Sequence, residues 1–126
     1  MTGPEAFIRA NTELLRPPLV PELQLHLATE LVPIWQATED DLQAMGVPPP
    51  FWAFAWAGGQ ALARYVLDNP KTVRSKHVLD FGAGSAIAGL AAAKAGAKRA
   101  LCADIDPFAV TAMGLNAEAN DLSIQA

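Results

Sequence analysis

The sequence predicts an α/β fold: the N-terminal part of a wound parallel sheet, in which a βαβα unit follows a mostly helical extension and the sheet is left incomplete. Three observations predict it. The run HVLDFG reads as a buried strand that breaks into glycines and opens a helix, RALCAD reads as a second strand closing on an acid, and Asp106-Pro107 begins a second helix. Proline also divides the chain, with nine of its ten prolines at or before Pro70.

Residues 1–50 read as an N-terminal extension and residues 51–126 as the N-terminal half of a core that binds a cofactor. In the extension, Phe7, Ile8, Leu14 and Leu15 fall on one helical face, while Leu23, Leu25 and Leu27 alternate with Gln24 and His26 as in a half-buried strand. Thr38 with Asp41 three residues on predicts a capped helix to about Met45, stopped by Pro48, Pro49 and Pro50. In the core, an aromatic run from Phe51 to Trp56 leads through Gly58 and Gly59 into a helix over 60–68, with Leu62, Tyr65 and Val66 on its buried side. The first strand and its glycine turn precede a helix over 87–95 that ends at Gly96, a residue suited to the left-handed position after a helix. The second strand follows, then a helix capped by Asp106 and running to about Asn120, and Leu122 to Ala126 start a third strand.

Composition narrows the function. The 126 residues make one domain or part of one, and a hydrophobic share of 52% against 17% charged is enough for a core. A net charge of −4 has the wrong sign for holding phosphate backbones by attraction, so no nucleic-acid partner is expected. The acid-containing first residues do not form a signal peptide, and no apolar run is long enough for a membrane span. Cys102 is the single cysteine, no Cys/His spacing suits a metal, and a reducing, cytoplasmic setting is expected. Cys102 itself reads as a small buried strand residue, and His26 and His77 as non-catalytic.

The chemistry lies in the turn Asp80-Phe81-Gly82-Ala83-Gly84-Ser85-Ala86-Ile87. Glycines let backbone approach a ligand, and the helix that follows presents unpaired N–H groups to a small anionic group. Asp104, at the end of the next strand, stands where parallel sheets of this kind place an acid for ribose hydroxyls. A phosphate-binding loop would need Gly-Lys-Ser/Thr where Ser85-Ala86-Ile87 stand, and a dinucleotide fingerprint would need glycine at Ile87. Asp80 sits awkwardly beside a diphosphate but well beside a ligand bearing an ammonium and a sulfonium. S-adenosylmethionine carries both cations, a carboxylate for the helix terminus and a ribose. The aromatic residues Phe51, Trp52, Phe54 and Trp56 suit either plain core or a wall over a flat ligand.

Taken together, PPPFWAFAWAGGQALARYVLDNP, VLDFGAGSAIAGLAAAKAGAKRALCADIDPFAV and LNAEAN resemble the class I S-adenosylmethionine-dependent methyltransferases, and within them the group of the electron-transfer-flavoprotein β-subunit lysine methyltransferase. The resemblance implies a Rossmann-like sheet and a methyltransferase acting on a lysine side chain of a protein, with that flavoprotein subunit as the expected substrate and ribosomal proteins as further ones. It also implies that Asp80, Gly82, Ala83, Gly84 and Ala86 form the turn at the methionine end of the cofactor, Asp104 the ribose contact, Ile105 the adenine face and Trp56 a lid.

Two departures from the family pattern stand out. Ala86 replaces the third glycine of the turn, which is expected to weaken cofactor binding if the backbone there needs a positive φ. Only two or three strands of the family sheet are supplied, so the groups that would deprotonate the lysine are expected beyond Ala126, and the chain is expected to need a C-terminal half or a second chain. A dinucleotide-dependent oxidoreductase fragment and a non-catalytic binding module are the alternative readings.

Overall fold

The computed structural model describes residues 3–29 and 50–126. The helix expected from Thr38 to Met45 lies outside the described residues. Helix α1 (Pro4–Asn11) leads into a short antiparallel hairpin, β1 (Glu13–Leu15) with β2 (Leu25–Leu27), in which Leu14 faces His26. A 3-10 turn (Phe51–Ala53) precedes α2 (Ala57–Asp68). Strand β3 (His77–Phe81), helix α3 (Ile87–Lys94), strand β4 (Arg99–Ala103) and helix α4 (Pro107–Ala119) complete the chain.

Strands β3 and β4 run parallel, in register from His77 opposite Arg99 to Phe81 opposite Ala103, and α3 makes the crossover that a parallel pair requires. The expected third strand is present as its first pairing: Gln125 bonds the outer edge of β4, donating to the Ala100 carbonyl (2.9 Å) and accepting from the Cys102 N–H (2.7 Å). Alternation along the strands sends Ala100 and Cys102 under α3, together with the half-buried Val78 and Asp80. Leu79 (60% exposed), Phe81 (85%) and Leu101 (42%) occupy the opposite, open face.

Several sequence expectations are corrected. The N-terminal helix stops at Asn11 and puts Leu14 and Leu15 in β1, because the side chains of Asn11 and Thr12 bond the carbonyls of Phe7 (2.8 Å) and Ile8 (2.6 Å) and Thr12 turns extended. The described part of the extension is therefore one helix and a hairpin. Strand β2 is buried at all three residues instead of alternately, since α4 and the 3-10 turn both pack on it. Helix α2 begins at Ala57, three residues early, and takes Gly58 and Gly59 inside it. Gly59 lies so close to α3 that an added Cβ would come 3.0 Å from Ile87 Cγ2. This close approach turns Ala63 and Val66 inward and leaves Leu62 and Tyr65 exposed. The expected cap is present: Asp106 Oδ1 accepts from the Phe108 N–H (2.9 Å) at the start of α4.

Candidate cofactor site

Strand β3 ends at Phe81 and the chain turns through Gly82 (φ 67°), Gly84 (φ 57°) and Ala86 (φ 68°), three left-handed residues within five, before α3 begins. Two of them are glycine, which adopts this geometry without cost, while alanine pays about 1 kcal/mol for it. Ala86 occupies the N-cap position of α3 and has no side-chain oxygen to offer the helix. Asp80 supplies that acceptor from the neighbouring strand: its Oδ2 takes the N–H of Gly89 (2.8 Å), one of the orphan donors of the first turn. Gly89 must lack a side chain for the helix to sit this low, because a Cβ there would fall 2.3 Å from Cys102 Sγ.

Asp104 closes the turn from the other strand. Its Oδ2 accepts from the Gly84 N–H (3.0 Å) and its Oδ1 from the Asp106 N–H (3.0 Å), so one side chain ties the glycine turn to the entry of α4. Each oxygen keeps a second lone-pair direction for a ligand hydroxyl. Burial pushes the Asp80 carboxyl above its ordinary value, the Gly89 N–H pulls it partly back, and the Asp104 charge raises it further. The same cause, burial first, raises Asp106. Asp80 and Asp104 thus concentrate negative potential at one point, an arrangement that receives a cation or hydrogen-bond donors.

Both carboxylates open into a cleft of about 430 Å³, within the usual range for a small-molecule site. Its floor is the turn, with Gly82, Ala83, Gly84 and Ile87. Its opposite wall is apolar, formed by Phe51, Phe54, Trp56 and Leu62. Trp56 is fixed there by its indole N–H, which donates to the Phe51 carbonyl (2.9 Å), and by tilted ring contacts with Phe51 (centroids 6.1 Å) and Phe54 (5.6 Å).

Residues 60–126 match the family model of the ribosomal protein L11 methyltransferase, PrmA. The chain belongs to this family. Among relatives, it is 45% identical over 120 residues to the human electron transfer flavoprotein beta subunit lysine methyltransferase, covering 94% of this chain and 45% of the relative. The Xenopus laevis protein of the same name is 44% identical over 121 residues, covering 96% and 48%. The chain thus spans somewhat under half the length of these relatives. Among solved structures, the T. thermophilus 16S rRNA N2 G1207 methyltransferase in complex with AdoMet and guanosine superposes with a TM-score of 0.52 at 29% identity, over 58% of this chain and 20% of that one. The fold is accordingly part of the Rossmann-like class I methyltransferase architecture.

Of the site residues expected from sequence, the PrmA-family chain brings six to one cleft: Trp56, Asp80, Gly82, Ala83, Gly84 and Asp104. Two do not line it directly. Ala86 is fully buried and contributes backbone geometry, since its methyl packs into the core away from the cleft. Ile105, 96% exposed, borders an adjoining apolar hollow with Phe81 and Ala103 that shares Gly82 and Asp104 with the cleft. Sequence reading missed Leu62, Ile87 and Ala88 as lining residues. Leu62 was assigned to the core by helical period, and Ile87 served only as the misfit to a dinucleotide fingerprint. His26 is buried on β2 and His77 exposed at the start of β3; neither lines the cleft. Among the described residues no cluster of His, Cys, Asp or Glu suits a metal, and no helix is long and apolar enough to cross a membrane.

Proposed function

We propose that the cleft binds S-adenosylmethionine and that the chain carries the cofactor half of a protein-lysine methyltransferase. The observation that carries the reading is the convergence of Asp80 and Asp104 on one cleft, on either side of a left-handed glycine turn and facing an aromatic wall. The residues fit the group. Asp80, desolvated and with one oxygen held by Gly89, suits the ammonium of the methionine end, and Asp104 suits the ribose hydroxyls. Trp56 and Phe54 offer ring faces to an adenosyl group, and Ile87 closes the floor. Bound there, S-adenosylmethionine supplies an electrophilic methyl group on a sulfonium.

The chain's own contribution is to position that group and keep water from it. An attacking lysine amine, of ordinary pKa about 10.4, must first lose a proton. Asp80 and Asp104 are the titratable side chains among the described residues lining the cleft, and in this reading both face the cofactor, at its ammonium and its ribose, not the substrate amine. The proposal therefore includes further polypeptide, from a C-terminal half or a second chain, that completes the substrate side. The open apolar face carrying Leu79, Phe81 and Leu101 supports this, because parallel sheets of α/β proteins are covered on both faces. The substrate class follows from the relatives' names: a lysine of a protein, the electron transfer flavoprotein β-subunit first and a ribosomal protein second. The net charge of −4 also favours a protein over a nucleic acid. A reducing, cytoplasmic setting accords with the lone buried Cys102.

Calorimetric titration with S-adenosylhomocysteine and, separately, NAD tests the cofactor. Binding of the first, weakened at least about 10-fold by Asp104→Asn, is expected. Stabilisation by NAD alone would transfer the site to the oxidoreductase reading. Transfer of labelled methyl to a flavoprotein β-subunit lysine, in the presence of the completing polypeptide, tests the substrate.

A further inference from the structure

Strand β2 reaches both walls of the cleft without lining it. At one end, the Ala28 N–H donates to the Ala53 carbonyl (2.9 Å), in the segment that carries the aromatic wall. In its middle, the His26 N–H donates to Asn116 Oδ1 (2.7 Å), and Asn116 Nδ2 donates onward to the Ser85 carbonyl (2.9 Å), inside the glycine turn. Asn116 is fully buried, with both ends of its amide used. One turn later, at the C-cap of α4, Asn120 repeats the pattern on the strand segment but not on the turn. Its Oδ1 accepts from the Gln24 N–H (2.8 Å), while its Nδ2 donates to the Gln24 carbonyl (2.6 Å) and to the Asn116 carbonyl (2.7 Å).

The spacing explains why a helix can read a strand in this way. Residues four apart on a helix rise about 6.0 Å, and alternate residues of a strand lie about 6.6 Å apart. Two side-chain amides on one helical face therefore meet successive outward backbone groups of a strand whose other side is paired with β1, standing in for a missing neighbour strand. Asn116 differs from Asn120 in its second bond, because the Ser85 carbonyl precedes Ala86, the left-handed residue with no glycine to ease it.

We propose that Asn116 is a positioning residue for the cleft. Through it, β2 braces the glycine turn against the aromatic wall, so that docking of the N-terminal hairpin sets the affinity for the nucleoside ligand. The inference deepens the cofactor reading, and Asn120 provides the internal control. Asn116→Ala breaks the strand bond and the turn bond, whereas Asn120→Ala breaks bonds to the strand segment and to the Asn116 carbonyl but leaves the turn bond in place. Both variants of the full chain are expected to melt at lower temperature. Only Asn116→Ala is expected to raise the Kd for S-adenosylhomocysteine about 10-fold, with Asn120→Ala staying within about 2-fold of the parent. Equal shifts in Kd for the two variants, or none for Asn116→Ala, would overturn the brace.

A second measurement needs neither variant nor ligand. Native-state hydrogen exchange on the parent chain is expected to show the amides of His26, Ala28, Gly84 and Gly89 opening together, with one free energy and one denaturant dependence. A hairpin that opens while Gly84 and Gly89 stay protected would overturn the brace even if Asn116→Ala failed to fold. A parent chain that shows the common opening but binds no S-adenosylhomocysteine would instead refute the cofactor reading and leave the brace standing.

Discussion

Gly89→Ala is a sharp test of how the sheet and α3 set the site. The new methyl carbon would stand 2.3 Å from Cys102 Sγ and 3.2 Å from Asp80 Oδ2, where non-bonded heavy atoms settle at about 3.5–4.0 Å. Cys102 is fully buried and its N–H is tied to Gln125, so the sulfur has little room to yield and α3 must lift by about 1 Å. Overpacking of this kind costs about 1–3 kcal/mol. The lift also stretches the 2.8 Å bond from Gly89 N–H to Asp80 past useful length, which costs about 1.5 kcal/mol more for a charged acceptor. Alanine returns about 1 kcal/mol of helix propensity, leaving a net loss of about 1.5–3.5 kcal/mol, or about 10 °C in Tm. Thermal and urea denaturation measure the loss. Adding Cys102→Ala removes the sulfur, and the double-mutant cycle should then show a favourable coupling of at least about 1 kcal/mol. A Gly89→Ala protein that melts with the parent, or a cycle without coupling, would refute the claim that close packing of α3 on β4 places the Asp80 carboxylate.

Asp80→Asn separates stability from function. Burial raises the Asp80 carboxyl, so its ionisation opposes folding: the favourable contribution is complete below the ordinary value of 3.8 and is lost as pH rises through the raised one. The amide keeps an acceptor for the Gly89 N–H and removes the buried charge. At pH 7 Asp80→Asn should match or exceed the parent in urea while binding S-adenosylhomocysteine at least about 10-fold more weakly; undiminished binding would remove Asp80 from the site. Burial, followed by the Asp80 charge, pushes the Cys102 thiol up to about 12, so a thiol reagent at pH 8 should label the chain only when it unfolds, and rapid labelling of the native protein would contradict the packing. Ala86→Gly relieves about 1 kcal/mol of left-handed strain and gives up about 0.8 kcal/mol of buried methyl, so its unfolding free energy should stay within about 1 kcal/mol of the parent. A larger change by urea denaturation would show that the turn is not held in the geometry described.

The features readable in the sequence are those whose cause is local. The glycine turn, the Asp106 cap, the Gly96 stop and the two strands each depend on residues within a few positions of one another, and the structure holds all of them. The condition attached to Ala86, that the backbone there needs a positive φ, is met by its φ of 68°. Helical period failed on α2 because its partner is another helix packed at glycine distance: Gly59 and Ala63 make the contact, and the larger Leu62 is displaced to the cleft. Alternation failed on β2 because a strand covered by α4 and the 3-10 turn has no solvent face to spend on polar residues.

Asn116 and Asn120 show why the remainder was not legible. On a helix, two polar residues four apart ordinarily mark a solvated face, and nothing within ten positions of them asks for an amide. Their partners His26 and Gln24 lie 90 and 96 residues away, on the three-residue β2 and just before it, in a segment whose own sequence predicts only half burial. The requirement arises in the assembled fold: burying β2 removes water from its outward N–H groups, and a buried donor left without an acceptor costs about 1–3 kcal/mol. Asparagine meets it with both an acceptor and a donor, and at position 116 the donor is left over for Ser85. The same long-range bond that satisfies the strand thereby reaches the turn holding Asp80 and Asp104 in register, so folding of the N-terminal hairpin and shape of the cleft are one event.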